Sequence, residues 1–414
     1  MSTASAMHPP TTTAAPWLSV VGLGASGRAS LTPAARAVLD SAEVVVGGAR
    51  HHEIAGSVRP GTERIDWPSP FDALIERLRG SAGRRVVVLA TGDPLWFSVG
   101  AKLARAFPGE TAFFPQVSAF QLAATRLCWS LADADTLSLH GRPAEGIVPF
   151  IQPGVRLIAL TTGAETPAAV AGLLTKRGYG ASRLTVLANM ETEAETRHDG
   201  IAAQWPHAEV PDFNTLAVEC APDVDAVLAP RVPGLADDLF AGDGTMTKRE
   251  VRAATLARLM PMPDALLWDV GAGCGSVAIE WMRAARGARA IAIEPRADRR
   301  AYAAANATAL GTPGLDLREG SAPAALAGLP APDAVFLGGG LSHGAVAAAW
   351  ARLKRHGRLV ANAVTLESEA LLLALHAERG GDLVRLQISR AEPVGGRTGW
   401  RAAMAVTQWS AVKR

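Results

Sequence analysis

At 414 residues the chain is longer than one ordinary hydrophobic core organises, so two domains are expected. Its 41 basic and 39 acidic residues leave a formal net charge of +2, which argues against nucleic acid or an acidic membrane surface as a partner. The three cysteines, Cys128, Cys220 and Cys274, are far apart and no histidine cluster has ligand spacing, so neither a disulfide framework nor a metal site is expected.

Residues 1–16 are small, polar and proline-rich, without the basic start or apolar run of an export signal, and read as a disordered tail. The longest apolar stretch, 86–101, is interrupted by Gly92-Asp93-Pro94 and is too broken to span a bilayer. A soluble cytoplasmic protein is the expectation. Leu18 to Val21 reads as a strand, followed by Gly22-Leu23-Gly24-Ala25-Ser26-Gly27, a dinucleotide-type spacing. Two features oppose that reading. Thr32-Pro33, a cap and a first-turn proline, place the next helix well beyond Gly27, and the second strand, Glu43 to Val46, ends in Gly47-Gly48 with no carboxylate for a ribose. His51-His52 suggests metal only superficially, because neighbouring side chains on a strand point apart.

The β-branched run Arg85 to Ala90 ends in Gly92-Asp93-Pro94, a strand entering a tight turn. Phe113 to Ala124 reads as strand, polar turn and alanine-rich helix, and Leu137 to Arg142 ends a further strand. Leu157 to Leu160, the helix Thr166 to Arg177, and the strands Leu184 to Leu187 and Leu216 to Glu219 repeat the rhythm as a second lobe. In this order, the Val21 to Gly24 loop with Leu31-Thr32, Gly92-Asp93-Pro94, Pro115 to Ser118, Ser138 to Arg142 and Leu187 to Met190 resemble the tetrapyrrole (corrin/porphyrin) methyltransferase family, over residues 17–220. The resemblance implies a two-lobed class III α/β fold with S-adenosylmethionine (SAM) in the cleft. It further implies that Gly92 and Asp93 sit beside the cofactor, that Ser118 and Met190 line its pocket, and that Gly22 and Gly24 face a tetrapyrrole. Pro115-Gln116-Val117-Ser118-Ala119 departs from the family's Pro-Gly-x-Ser-Ser turn, and Ala25 stands where proline is common.

Residues 221–243, with prolines at 222, 230 and 233, read as a linker, and 244–414 as the second domain. Thr247 is placed to cap a helix running to Met260, with Glu250 completing a capping box; a helix just upstream of such a cradle commonly covers the bound cofactor, so Thr247 is a candidate both as cap and as cofactor contact. Ala265 to Trp268 is a buried strand that leads into Asp269-Val270-Gly271-Ala272-Gly273-Cys274-Gly275-Ser276 and a helix over 277–285. Glycines at alternate positions bring backbone N–H groups close to a ligand, Asp269 closes the strand, and Glu294 ends the next one, suited to both hydroxyls of a ribose. Ser276 stands where a dinucleotide fingerprint has its third glycine. The combination resembles the class I SAM-dependent methyltransferases, a Rossmann-like fold with a seven-stranded sheet. Gly320-Ser321-Ala322 leaves the third strand where an adenine could be held, and Gly338-Gly339-Gly340 leaves the fourth with space for a flat substrate. Val384 to Ile388 with Ala402 to Val406 reads as the closing antiparallel pair.

Residues 242–408 are similar to the precorrin decarboxylating methyltransferases through Thr247-x-x-Glu250-Val251-Arg252, Asp269 to Gly273, Glu294, Gly320-x-Ala322 and Gly338-Gly339-Gly340. Together the two resemblances imply methylation of a precorrin in cobalamin biosynthesis at ring carbons 5, by the first half, and 15, by the second. They also imply loss of carbon dioxide from the acetate on ring carbon 12, and self-association through the carboxyl-terminal domain. His140 and His343, at strand exits, are candidates to move protons on the macrocycle or to be loop histidines. Arg142, Lys248 and Arg252 are candidates to meet substrate carboxylates or to be surface charges. The competing functions are an NAD-linked oxidoreductase using Gly22, Gly24 and Gly27, and a nucleic-acid methyltransferase; the first lacks a ribose acid and the second a basic aromatic face.

Overall fold

The computed structural model describes residues 16–207 and 209–414; the tail expected over residues 1–16 falls outside it but for Pro16. The chain forms two compact units, one containing residues up to Arg142 and Gly154–Val224, the other Pro143–Pro153 and Asp225–Arg414.

The first unit holds two five-stranded sheets. In the first sheet, β1 (Leu18–Leu23), β2 (Val44–Gly47), β3 (Glu63–Asp66), β4 (Val86–Thr91) and β5 (Thr111–Phe114) run parallel in the order β3-β2-β4-β1-β5. Leu18, Val20, Val44, Val46 and Val88 pack on one face and Val21, Leu23, Val45 and Leu89 on the other, as continuous apolar runs do in strands covered on both sides. The second sheet is mixed: β6 (Ala134–Ser138), β7 (Arg156–Leu160), β8 (Arg183–Ala188), β9 (Thr196–Ile201) and β10 (Asn214–Glu219) follow the order β6-β7-β10-β8-β9. The exposed, polar β9 had no apolar alternation to announce it.

The glycine spacing at Gly22 to Gly27 is not a nucleotide turn. Thr32 Oγ1 accepts from the Ala35 amide at 3.2 Å, so the helix Pro33–Ser41 starts at its threonine cap. Gly27, at φ 56°, lies so close to the Ile54 carbonyl that a Cβ would stand 1.8 Å from its oxygen. His51 and His52 lie on a helix, Ala49–Ala55, rather than on a strand.

In the second unit β11 (Leu266–Val270), β12 (Arg289–Ile293), β13 (Asp316–Arg318), β14 (Ala334–Leu337) and β15 (Arg358–Ala363) run parallel. The sheet is completed by β16 (Asp382–Leu386) and β19 (Val406–Val412), in the order β13-β12-β11-β14-β15-β19-β16, with β19 antiparallel to both neighbours. This is the expected seven-stranded sheet, with one correction. Ala402 to Val406 does not close it; the last strand starts at Val406, and β17 (Ser389–Val394) with β18 (Arg397–Ala402) forms a separate hairpin.

Along β11 the side chains alternate. Leu266, Trp268 and Val270 enter the core on one face, and Leu267 joins the other with the helix Ser276–Ala284. Asp269 therefore projects toward that helix. The segment read as a linker contributes three residues to this core: Ala229, Leu235 and Phe240 are buried in it. Pro143–Pro153 belongs to the same unit, with Ile147 and Val148 buried and Gln152 donating to the Ala229 carbonyl at 2.9 Å.

Candidate active sites

In the second unit the chain passes from β11 to β12 and β13 on one side and to β14 and β15 on the other, so β11 and β14 flank the point where strand order reverses. Ligands of open α/β sheets collect at the strand ends there. Gly271 is required by sterics: its φ is 70°, and a Cβ would meet Gly339 backbone atoms at 2.5 to 2.8 Å. The amides of Gly271 and Ala272 donate to the Ile293 carbonyl at 2.9 and 3.1 Å, and those of Gly338 and Gly339 to the Val270 carbonyl at 3.1 and 3.3 Å. Glu294, buried at the end of β12, accepts from the Gly273 amide at 2.9 Å and from the Arg296 amide at 3.1 Å, one on each oxygen. Asp269, Gly271 to Gly275 and Glu294 are thereby joined, and Gly320 to Ala322 leave the neighbouring β13 on the same edge. Cys274 is a buried thiol whose pKa burial raises.

Asp269 is 1% exposed; Oδ2 accepts from the Ala278 amide at 3.0 Å, while Oδ1 has no hydrogen-bond partner among the described residues. Burial drives its pKa up to about 7, the Ala278 amide opposes the rise and the Glu294 charge adds to it. Folded Asp269 keeps a proton at pH values where an unfolded aspartate, with a pKa near 4, has lost it. Its contribution to stability is therefore greatest in acid and declines as pH rises from about 4 to about 7. Asp269→Asn, neutral throughout, is expected to lose less stability than the wild type between about pH 4.5 and about pH 7.5. Urea unfolding at both values measures this; equal losses in the two proteins would remove the assignment.

An orphaned carboxylate oxygen, a second buried acid with lone pairs to spare and a glycine turn with nothing nearer the Gly273 Cβ position than the Thr245 carbonyl oxygen at 3.8 Å suit a nucleoside with a ribose diol. Thr245 is an addition that sequence reasoning missed. Asp243 accepts from the Arg299 guanidinium at 2.9 Å, and Arg299 donates to Thr245 Oγ1 at 2.6 Å, pinning 243–245 beside the cradle. The Gly242-Asp243-Gly244 turn was the available signal.

Four expectations for this unit need correction or restriction. Thr247 does not cap the helix Arg249–Leu259: Lys248 occupies the cap position without a side-chain bond, and Glu250 pairs with Arg390 at 2.6 Å. Arg252 is fully buried, donating to Glu280 at 2.6 Å, to Asp237 at 3.0 Å and to the Thr247 carbonyl at 2.7 Å, with its guanidinium over the Phe240 ring. It is a structural cation and cannot meet a substrate. Lys248 reaches the Gly244 carbonyl at 3.3 Å. His343 is the exposed first residue of the helix His343–Arg352.

The first unit contains a cleft of about 580 Å³ between its two sheets, a size that suits a small-molecule site. Gly24, Gly92, Ser118, His140 and Met190 all line it, drawn from the exits of β1, β4, β6 and β8 and from the start of the helix Ala119–Leu127. Gly22, Asp93 and Arg142 do not. A Cβ at Gly22 would stand 2.0 Å from the Gly92 carbonyl oxygen, so that glycine lets β1 and the Gly92 turn touch. Asp93 Oδ1 accepts from the Leu95 amide at 2.8 Å and holds the turn. Arg142 is exposed, with Nη1 3.5 Å from the Ser138 carbonyl. His140 Nδ1 lies 3.1 Å from the Thr161 carbonyl. A carbonyl only accepts, so Nδ1 carries the proton and the neutral ring keeps Nε2 as an acceptor. Trp67, Phe71, Trp96 and Phe97 add aromatic walls that sequence reasoning missed, although Trp96 and Phe97 follow Gly92-Asp93-Pro94 directly.

Among the described residues no group of three or more His, Cys, Asp or Glu is placed to hold a metal ion, and no helix is long and apolar enough to cross a membrane. Residues 18–200 match the family of tetrapyrrole (corrin/porphyrin) methylases, and residues 238–413 the precorrin methyltransferase domain family. The chain is 48% identical over 400 residues to a precorrin-6Y C(5,15)-methyltransferase (decarboxylating) of Sinorhizobium sp., covering 96% of this chain and 97% of that one. Two shorter relatives are similar to parts of it. A cobalt-precorrin-7 C(5)-methyltransferase of Salmonella typhimurium is 33% identical over 184 residues, 44% of this chain and 89% of its own. A probable cobalt-precorrin-6B C(15)-methyltransferase (decarboxylating) of Pyrobaculum calidifontis is 36% identical over 161 residues, 38% of this chain and 83% of its own.

Proposed function

The chain belongs to the decarboxylating precorrin-6Y C(5,15)-methyltransferase family, and from that premise we propose that its two units methylate one precorrin at two ring carbons, each with its own SAM. The first unit acts at ring carbon 5. The second acts at ring carbon 15 and releases carbon dioxide from the acetate on ring carbon 12, giving precorrin-8X in cobalamin biosynthesis. The observation that carries this reading is the presence, in one chain, of two strand-exit sites of unlike build, a cleft between two sheets and a glycine cradle with a buried acid. Relatives whose names give only the C(5) or only the C(15) reaction, each similar to less than half of the chain, support the division.

When bound, SAM supplies a methyl group already activated on a positive sulfur. A meso carbon of a reduced tetrapyrrole is an enamine-like nucleophile, so the chain has chiefly to align the partners and exclude water. In the second unit Glu294, which also holds the strand-exit loop through the Gly273 amide, receives the ribose, Asp269 lies at the strand end beside the cofactor, and Gly320, Ser321 and Ala322 border the adenine. Gly338 to Gly340 and Lys248 face the macrocycle, whose conjugation takes up the electron pair left by carbon dioxide. In the first unit Gly92, Ser118 and Met190 border the cofactor, Gly24 faces the macrocycle, and His140 Nε2 takes the proton that ring carbon 5 loses after methylation. His343 is assigned proton transfer in the second unit, from ring carbon 15, which loses a proton after methylation, to the methylene carbon left by carbon dioxide, which gains one as it becomes a methyl group. Self-association through the second unit belongs to the same proposal: its hairpin exposes Val394 and Trp400, the latter 79% accessible, and the molar mass in solution measures it.

Calorimetric titration of the full chain with SAM tests the two-site reading. The wild type is expected to take up two equivalents. Glu294→Gln is expected to keep one of them at wild-type affinity and to weaken the other by about 10- to 100-fold, the equivalent of a charge-assisted hydrogen bond of ~1.5–3 kcal/mol. His140→Gln is expected to slow methylation at carbon 5 about 100-fold with decarboxylation unchanged. Uptake of a single equivalent by the wild type would end the reading.

A further inference from the structure

Arg50 lies on the helix Ala49–Ala55, which follows β2, and its guanidinium stacks 3.6 Å from the centroid of Phe213, in the segment entering β10. Both residues line the first unit's cleft, so this stack crosses from the side of one sheet to the side of the other. Among the described residues Arg50 has that stack but neither an ion pair nor a hydrogen bond. Half-buried, it has no protein acceptor among these residues within hydrogen-bond distance of its five N–H donors; desolvation lowers its pKa, and the charge of Glu53 on the same helix opposes the fall. A partly desolvated fork without a protein acceptor gains most from a ligand that brings one.

The neighbouring residues leave Arg50 as the cation of this wall. His51 Nδ1 accepts from the Gly48 amide at 3.1 Å, so Nε2 carries the proton and donates to Thr91 Oγ1 at 3.0 Å. Burial, then the charges of Arg50 and His52, bring the His51 pKa down to about 4, so the ring is neutral. The acids that share the cleft are Glu191 and Asp212, and Asp212 Oδ1 already accepts from the Ala164 amide at 3.1 Å. Trp67 and Trp96 provide flat apolar surface for a ring.

We infer that Arg50 anchors a carboxylate side chain of the macrocyclic substrate in this cleft, the role that sequence reasoning gave to Arg142; the inference rests on reading the cleft as the site of methylation at ring carbon 5. A planar guanidinium meets a carboxylate through two parallel hydrogen bonds, and the Phe213 face keeps the fork in one plane. Arg50 is a substrate-positioning residue and takes no part in methyl transfer.

The test uses the full chain with Arg50→Met, which keeps an unbranched apolar stem but removes charge and fork, and with Arg50→Lys. For Arg50→Met, KM for the carbon 5 substrate is expected to rise about tenfold or more with kcat within about twofold, and Arg50→Lys to fall between. Decarboxylation by the second unit and the uptake of SAM are expected to be unchanged. Binding of uroporphyrin, a tetrapyrrole polycarboxylate, provides a readout independent of methyl transfer: Arg50→Met is expected to bind the free acid about tenfold more weakly than the wild type, and the two to bind its fully amidated form alike. Equal affinity of wild type and Arg50→Met for the free acid, or an unchanged KM, would overturn the anchor. Weaker binding of the free acid by Arg50→Met, in a chain whose wild type does not methylate carbon 5, would keep the anchor and overturn the reading of the reaction.

Discussion

Gly271→Ala is expected to lower carbon dioxide release by the second unit at least about 100-fold. The added methyl would sit 2.5 Å from the Gly339 Cα and 2.6 Å from its nitrogen, where non-bonded carbons rest at about 3.5–4.0 Å. The residue would also have to hold φ at 70°, at about 1–2 kcal/mol for a side chain with a Cβ. Neither strain can relax locally. The Gly271 amide is held by the Ile293 carbonyl, and Gly338 and Gly339 are held by the Val270 carbonyl, so separating the two exits opens hydrogen bonds on both sides of β11. The displaced loop carries Gly273, whose amide orients Glu294, and misplacement by about 1 Å is enough for a loss of this size. Carbon dioxide release from labelled substrate, with SAM titration of the same protein, measures the effect. Release within a few-fold of the wild type would show that close contact between the two strand exits does not matter.

The features legible in the chain are those whose cause is local. A buried strand ending in alternate glycines, with Asp269 before them and Glu294 after the next strand, declares its turn within a few dozen residues, and the Thr32-Pro33 start does so within two. What stayed hidden depends on partners distant in sequence. Arg252 has the spacing of an exposed helical cation, and its burial is decided by Asp237 and Glu280, 15 and 28 residues away. Arg50 and Arg142 are alike as letters; only the packing of the helix Ala49–Ala55 brings one of them into the cleft. Prolines made 221–243 read as a linker, yet the apolar residues between and after them, Ala229, Leu235 and Phe240, fill a core that no periodicity describes. The hairpin β17–β18 is exposed along almost its whole length, so it lacks the alternation that marks a half-buried strand, and its omission put the closing strand several residues early.

Glu280→Ala is expected to destabilise the second unit by about 3–5 kcal/mol, a large share of the ~5–15 kcal/mol that holds a typical domain folded. Glu280 is 1% exposed and accepts three hydrogen bonds, from the Gly234 amide at 2.6 Å, the Leu235 amide at 3.0 Å and Arg252 Nε at 2.6 Å. Its removal leaves a fully buried guanidinium balanced only by Asp237, which is shared with Arg390, and leaves two backbone donors unmet. Glu280→Gln is expected to lose about 2–3 kcal/mol, because one amide oxygen cannot serve three donors. Exchanging both charges for apolar groups, as in Arg252→Met with Glu280→Leu, removes the unpaired ion, so the double variant is expected to be more stable than Glu280→Ala while still carrying the two unmet amides. Urea unfolding followed by a probe in the second unit distinguishes these cases; a loss below about 1 kcal/mol for Glu280→Ala, or a double variant no better than it, would show that the pair does not hold residues 234–252 to the core. That segment leads through Asp243 to Thr245, whose carbonyl oxygen stands 3.8 Å from the Gly273 Cβ position, so the same variants should also weaken SAM uptake at the cradle, and a buried ion pair that touches no ligand would then set how firmly the second site is closed.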